Sequence, residues 1–362
     1  MDPHYTHGQQ QCRHGYDQKQ EIVIAKILIT GATGFVGSHV LESLMLIRHT
    51  DLDIVAACRQ PERLIPSYSG EVRVGDLRDP HYLDRVLTGI DVVCHCAGWT
   101  SFTNDEAACQ RLYLEPSLDL INHAKQWQVS RFINLSSLAL APIAKRHHPM
   151  VKGKPRRHAP MFNCMIAVEE YLQASANERF TVVNLRLGSY SGRRLNLCLL
   201  RYLLNGSPRL PAIGGRYGYL PLVDGRDIGQ AFARASLAPL QQCFTSLNIV
   251  GPTVPSQREV YRYINEIQGR SSNTIAWPLA YIKSMGRLQQ YLGQIIHGSS
   301  WPEPLLQLLA NPTLDNHLAQ SNIGYDPQYY WKHSLMDSIK QPNPLAGMAV
   351  YSVRDDGMFF PP

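Results

Sequence analysis

Apolar residues in the first half of the chain follow two alternating rhythms. Short runs rich in Val, Ile and Leu fall at 22–30, 53–58, 71–74, 90–96, 131–136 and 181–187, bounded by Gly, Pro, Asp or Ser. Runs of that length and composition predict strands. Between them, over 38–48, 80–88, 105–127 and 162–176, apolar residues recur every three to four positions, which is the spacing of one helix face. Strand and helix in alternation build a parallel sheet covered by helices on both faces, so the expected fold class is α/β with a doubly wound parallel sheet. Past Tyr190 the rhythm loosens. Helical patterns at 195–205, 225–237, 256–268 and 278–296 are separated by Gly206-Ser-Pro and Gly251-Pro turns. The division expected is a disordered tail at 1–21, a sheet domain at 22–188, a smaller C-terminal substrate lobe at 189–340 with strands able to rejoin the main sheet, and a tail at 341–362.

The junction of the first strand and first helix carries the strongest chemical signal. The run Lys26-Ile-Leu-Ile-Thr-Gly-Ala-Thr-Gly-Phe-Val-Gly37 sends a strand into three glycines spaced by three, followed by an apolar-periodic helix from Ser38 to Ile47. A strand, a glycine turn and a helix N-terminus together receive a dinucleotide pyrophosphate. Gly31 permits the turn, Gly34 lets backbone approach the phosphates, and Gly37 lets the helix close on the strand. The sheet is therefore expected to be of the Rossmann type.

Composition narrows the rest. With 44% hydrophobic and 18% charged residues the chain is an ordinary globular one. A net charge of +6 is too small to argue for nucleic acid without a motif. Apolar runs such as Ile22–Ile29 and Leu195–Leu204 are short and interrupted by Lys26 or Arg201, which argues against a membrane span. The polar, Gln- and His-rich first twenty residues lack the apolar core of a signal peptide, so a cytoplasmic location is expected. Eight cysteines without C-x-x-C pairs or metal-ligand spacing fit that expectation. Cys94 and Cys96 share one strand face and read as buried structural thiols rather than a redox pair.

Seven motifs in order resemble the extended short-chain dehydrogenase/reductase family, its epimerase/dehydratase and 3β-hydroxysteroid-dehydrogenase-like group, over roughly residues 24–335. They are Thr30–Gly37, Gly75-Asp-Leu-Arg-Asp79, Asp91-Val-Val-Cys-His-Cys-Ala-Gly98, Val129-Ser-Arg-Phe-Ile-Asn-Leu-Ser-Ser137, Leu185-Arg-Leu-Gly-Ser-Tyr-Ser-Gly192, Leu222-Val-Asp-Gly-Arg-Asp227, and Leu314-Asp-Asn with Ile323-Gly-Tyr-Asp-Pro327. The resemblance implies an NAD(P)-dependent epimerase, dehydratase or reductase acting on a small molecule. It also implies a cofactor site made by Gly31, Thr33, Gly34, Phe35, Val36, Gly37, Asp76, Leu77, Cys96, Ala97 and Gly98. The second strand ends Ala57-Cys58-Arg59 without an acidic residue. An acid there would hold the ribose 2′-OH of NAD, whereas Arg59 suits a 2′-phosphate, so NADP(H) is the expected cofactor and NAD the second choice.

The family's chemistry needs a Tyr and a Lys four residues apart on one helix face, aided by a strand serine. Ser137 occupies the serine position, but Phe162 and Ile166 fall where Tyr and Lys are required. None of the eighteen tyrosines is followed by Lys four positions later. A phenyl and a sec-butyl group can neither donate a proton nor lower a phenol's pKa. Three readings stay open. The protein binds a dinucleotide without standard redox chemistry, as a sensor, regulator or assembly factor. Alternatively an acid comes from Tyr113, Tyr190, His95 or the loop 145–158, or water serves as the proton donor. Tyr113 and His95 read more simply as packed core residues, and Ser137 as a strand-end serine satisfying backbone.

The loop 145–158, Lys-Arg-His-His-Pro-Met-Val-Lys-Gly-Lys-Pro-Arg-Arg-His, is the densest charge cluster. It is either a solvated face or a rim holding an anionic substrate group. A stripe of Phe162, Met165, Ile166, Val168, Tyr171 and Leu172 at helical spacing, together with the helix at 105–127, leads to the expectation of a homodimer.

Overall fold

The computed structural model describes residues 25–47, 52–99, 105–140, 160–195, 218–269 and 315–340, and short strands at 212–213, 276–277, 352–353 and 359–360. The tail 1–21, the basic loop 145–158 and the helical patterns at 195–205 and 278–296 lie outside the described residues, apart from Leu195. Most of the 341–362 tail lies outside them as well.

Seven parallel strands form the main sheet: β1 (Ala25–Thr30), β2 (Leu52–Cys58), β3 (Glu71–Val74), β4 (Val92–His95), β5 (Arg131–Ser137), β6 (Thr181–Leu187) and β10 (Phe244–Ile249), in the order β10-β6-β5-β4-β1-β2-β3. Strand order reverses between β1 and β4, so a crevice opens beyond their carboxyl ends. Alternation along β1 shows that both faces are buried. Ile27 and Ile29 enter a core with Val40, Leu44, Ile228 and Phe232, whereas Leu28 enters another with Leu83, Ile121 and Val168. Burying each such side chain contributes about 1.5–3 kcal/mol.

On one face lie α1 (Phe35–Met45) and α6 (Gly225–Leu237). On the other lie α2 (Pro80–Leu87), α3 (Glu106–Cys109), α4 (Glu115–Gln126) and α5 (Pro160–Ser175). The first helix starts at Phe35, three residues before its apolar period begins, because the glycine turn itself supplies the N-cap at Gly34. The helix expected at 105–127 is not one regular α-helix. It widens into a π-turn over Gln110–Leu114 before α4 resumes. Pro116 explains this, because it has no N–H and its ring crowds the carbonyl four residues back, so the ladder shifts.

The stripe assigned to a dimer face is corrected by the packing. Phe162, Met165, Val168 and Leu172 are buried inside the protomer, in the core with Tyr113 and Phe132. Only Ile166 and Tyr171 remain half-buried. The apolar period of α5 is spent on its own sheet.

The chain beyond β6 folds back onto that sheet, and β10 pairs with β6 along its full length. A second, two-stranded sheet joins β7 (Ser189–Ser191) to β9 (Leu222–Asp224), and two-residue strands β8 (Ala212–Ile213) and β11 (Ala276–Trp277) pair in parallel. Helix α7 (Gln257–Ile267) begins with a full capping box at Ser256 and Glu259. After it come α8 (His317–Ile323) and α9 (Trp331–Lys340). The chain on either side of α8 is tied down at three points. The carboxylate of Asp227 accepts from the Gln328 and Tyr329 amides, the Tyr325 hydroxyl donates to the Val250 carbonyl, and Asn316 exchanges two hydrogen bonds with Val250.

Helices α1 and α6 approach closely because α6 presents Gly225 and Gly229 to α1. A Cβ on Gly229 would lie 2.4 Å from both the His39 carbonyl oxygen and Ser43 Oγ. Gly229→Ala is expected to lower stability by about 1–3 kcal/mol through this overpacking. The readout is a drop in denaturant midpoint with an unchanged m-value.

Candidate functional site

Gly31 and Gly37, in the turn between β1 and α1, stand where a side chain does not fit. Gly31 sits at φ +65°, and a Cβ there would lie 2.7 Å from the Ala97 backbone. A Cβ on Gly37 would lie 2.2 Å from the Gly31 carbonyl oxygen. Gly34 is exposed at the N-cap, with no side-chain cap of its own. The first turn of α1 therefore has no side chain capping its backbone N–H groups, the arrangement in which a helix N-terminus can take an anion. Thr33 and Phe35 are half-buried beside them, and Val36 is buried in the core below.

Thr30, at the end of β1, joins this turn to the end of β4. Its hydroxyl oxygen accepts from the Cys96 and Ala97 amides at 3.2 and 3.1 Å, and lies 2.9 Å from His95 Nδ1. With its acceptor positions filled, Thr30 gives its proton to Nδ1. His95 then keeps its proton on Nε2, 3.4 Å from Ser117 Oγ, and Ser117 donates to the Tyr113 carbonyl at 2.7 Å. A one-way relay thus runs from the nucleotide turn to the π-turn. Burial pushes the His95 ring down to about 4 from its ordinary 6.5, so it is neutral and fully engaged. As a proton donor, the role considered from the sequence, it would have both ring nitrogens already engaged.

The tips of β2 and β3 carry Arg59, Asp76 and Leu77, other residues expected at the cofactor. Gly75 N donates to Cys58 O at 3.1 Å, which sets Arg59 beside Asp76. Arg59 is exposed and Leu77 half-buried. The Asp76 carboxylate is gripped by Arg78, through Nε at 3.0 Å, Nη2 at 2.6 Å and its backbone amide at 3.0 Å. This pairing, with Arg59 nearby, holds the Asp76 carboxyl below the usual range.

At the far end, Tyr113 lies with its ring edge against Gly98, since a Cβ on Gly98 would stand 3.8 Å from Tyr113 Cε2. Burial and the neighbouring Glu169 push its phenol upward, so it stays protonated and is a poor base. Phe162 packs in the same core as Tyr113. Tyr190 stacks on Phe35, with ring centroids 5.6 Å apart. Ser137 Oγ accepts from the Ala139 amide at 3.2 Å, which leaves its own proton available. Sequence reasoning missed the buried network beside it, in which Ser136 donates to Glu169 and Arg186 grips Glu169 through Nε and Nη2 at 3.1 and 2.5 Å. It also missed Thr30 and Ser117 as relay members. The pairing of Thr30 with His95 follows from strand register, which no local pattern encodes.

Five free cysteines, Cys58, Cys94, Cys96, Cys109 and Cys164, are buried or half-buried, and burial pushes the Cys94 thiol up to about 12. Among the described residues no three metal-ligating side chains gather, and no helix is long and apolar enough to cross a membrane.

Residues 27–205 match the model of the NAD dependent epimerase/dehydratase family. The chain is 24% identical to the photosystem II assembly factor Ycf39 of Guillardia theta, over 70% of this chain and 73% of that protein. It is 28% identical to the uncharacterized protein YbjS of Escherichia coli strain K12, over 44% of this chain and 49% of that one. Among solved structures, MoeE5 in complex with UDP-glucuronic acid and NAD superposes with a TM-score of 0.65 at 21% identity, covering 88% of this chain and 98% of that one. The UDP-glucose 4-epimerase of Thermus thermophilus in complex with NAD does so with a TM-score of 0.63 at 19% identity, over 87% and 98%. These likenesses establish the fold.

Two buried histidines make stability depend on pH. His95 and His39 are both held at about 4, against 6.5 when unfolded, chiefly by burial. As pH falls from 6.5 to 4 the unfolded chain takes up protons that the native state refuses. Stability is expected to fall by about 1.4 kcal/mol per pH unit for each histidine. Asp227, raised by burial to about 6 from 3.8, binds its proton first in the native state and offsets part of that loss between those two values. Urea unfolding at pH 7 and pH 5 should show the net decline, and His95→Gln should remove one histidine's share of the slope.

Proposed function

We propose, from the membership of residues 27–205 in the NAD dependent epimerase/dehydratase family, that this chain binds NADP(H) and no longer carries the proton-transfer pair of that chemistry. Nucleotide binding is supported by the turn at Gly31–Gly37, which has no side-chain cap and no room for a Cβ at Gly31 or Gly37, and by the Thr30 anchor to Ala97. The 2′-phosphate is supported by exposed Arg59 at the acid-free tip of β2. The observation that carries the catalytic part is the environment of helix α5 and its neighbours. Phe162 is buried beside Tyr113, while Tyr113 and His95 are held in their neutral forms by burial. Hydride transfer to a carbonyl leaves an alkoxide that needs a proton, and neither Phe162 nor Ile166 can supply one. Positioning alone still accelerates a reaction, so residual reductase, epimerase or dehydratase turnover with a sugar-nucleotide or other small substrate is slow rather than forbidden.

A second reading, a nucleotide-binding assembly factor or regulator, is favoured by the likeness to the assembly factor Ycf39. Both readings share NADP(H) binding and differ in turnover. The protein should shift its melting temperature with NADPH. Incubation with NADPH and a panel of carbonyls and UDP-sugars, followed by nicotinamide absorbance and by product analysis, then separates them. Robust turnover unaffected by Ser137→Ala would sink the degraded-site reading.

NADPH is expected to bind more tightly than NADH by about 1.5–3 kcal/mol, the range for a hydrogen bond to a charged group. Arg59→Ala should erase most of the difference in a calorimetric titration, and equal affinities in the parent protein would refute the assignment. The double change Phe162→Tyr, Ile166→Lys should create or raise carbonyl reductase activity while each single change does little. A tyrosine without its lysine keeps a pKa near ~10. Ile166 is half-buried, so the new ammonium has a route to water, and thermal melting of each variant controls for folding.

A further inference from the structure

Arg59 alone leaves an electrostatic problem at the 2′-phosphate position. The phosphate would have to sit beside Asp76, whose tip of β3 is hydrogen-bonded to the tip of β2 through Gly75 N and Cys58 O. A bare carboxylate there would repel a group carrying nearly two negative charges. Arg78 removes the problem. Its side chain meets Asp76 head-on through Nε and Nη2, and its backbone amide closes the same loop on Oδ1.

We propose that Arg78 is a second residue determining preference for NADP(H), acting by neutralising Asp76 and by offering the phosphate its unused N–H groups. This rests on the reading of the site as one for NADP(H). A guanidinium carries five donors. Nε and Nη2 each give one to Asp76, so Nη1 remains for a second anion. The side chains of Arg78 and Asp76 are 50% and 34% exposed. An exposed pair of this kind contributes little stability, so sharing Arg78 with an incoming phosphate costs the fold almost nothing. Arg59, Asp76 and Arg78 sum to one positive charge, and loss of Arg78 would make that sum zero with the negative member uncovered.

The test uses the full-length chain, with NADPH and NADH as probes in parallel titrations. Arg78→Met should weaken NADPH at least about tenfold while NADH stays within about twofold, as expected for loss of a charge-assisted contact made by only one of the two nucleotides. Arg78→Lys, which keeps the charge but loses the fork, should fall between. Adding Asp76→Asn to Arg78→Met should recover most of the lost NADPH affinity, because the uncovered charge is gone. Melting curves of each variant confirm folding. Equal weakening of both nucleotides in Arg78→Met would overturn the proposal and make Arg78 a support for Asp76 at the adenine. Preference retained in Arg78→Met but lost in Arg59→Ala would also overturn it, while leaving the NADP(H) reading intact. Parent protein without any preference would sink both.

Discussion

Everything at the candidate site depends on how closely α1 starts to β1. The turn at Gly31 touches the Ala97 backbone on one side, and Gly37 touches the turn's own carbonyl on the other. No side chain larger than hydrogen fits at either position. This closeness leaves the first amides of α1 without a side-chain cap at the crevice where strand order reverses. It also brings Thr30 within reach of the Cys96 and Ala97 amides, so β1 and the loop after β4 move as one body. The shape of this turn is a consequence of packing, set before any charged side chain is considered.

The relay from Thr30 through His95 and Ser117 to the Tyr113 carbonyl gives the π-turn a direct connection to that body. Pro116 opens the helix ladder at this point, and the widened turn places the Tyr113 ring against Gly98. Around it Phe162 is buried, and burial holds the Tyr113 phenol and the His95 ring in their neutral forms. The buried charges of the neighbourhood, Glu169 and Arg186, are consumed by each other and by Ser136. Such a pair is costly to break, so it holds β5, β6 and α5 together.

The C-terminal part is bound into the same unit by apolar packing of Ile228, Phe232, Leu247, Ile249 and Ile323 in the core of β1 and α1, and by a set of polar contacts. Asp224 caps α6, pairs with Arg226 and accepts from Ser334, while Ser338 accepts from the Gly192 amide. Arg226 also reaches Asp337 and lies over the Tyr329 ring, 3.7 Å from its centroid. Helix α9 is thereby fastened to the loop that follows β7, which lies beside α1 through the pairing of Arg193 and Arg194 with Glu42.

The α/β class, six of the seven sheet strands and the glycine turn were readable in the sequence, because burial on two faces and a turn at positive φ each impose a local pattern. The expectation that Phe162 and Ile166 stand where the family has Tyr and Lys rests on the same kind of local signal, since a motif position is local. The seventh strand, Phe244–Ile249, was not read, because its apolar residues alternate with Thr, Ser and Asn at the sheet edge. The apolar stripe of α5 was read as a surface because periodicity reports an apolar face without saying what covers it, and only the sheet beneath decided that it was core. The roles of Thr30, His95 and Ser117, and the meeting of Arg59 with the Asp76–Arg78 pair, came from strand register and the approach of two strand tips. Apart from the Asp76–Arg78 pair and the bond from Ser117 to the Tyr113 carbonyl, these contacts join residues far apart in the chain, and only the folded sheet brings them together.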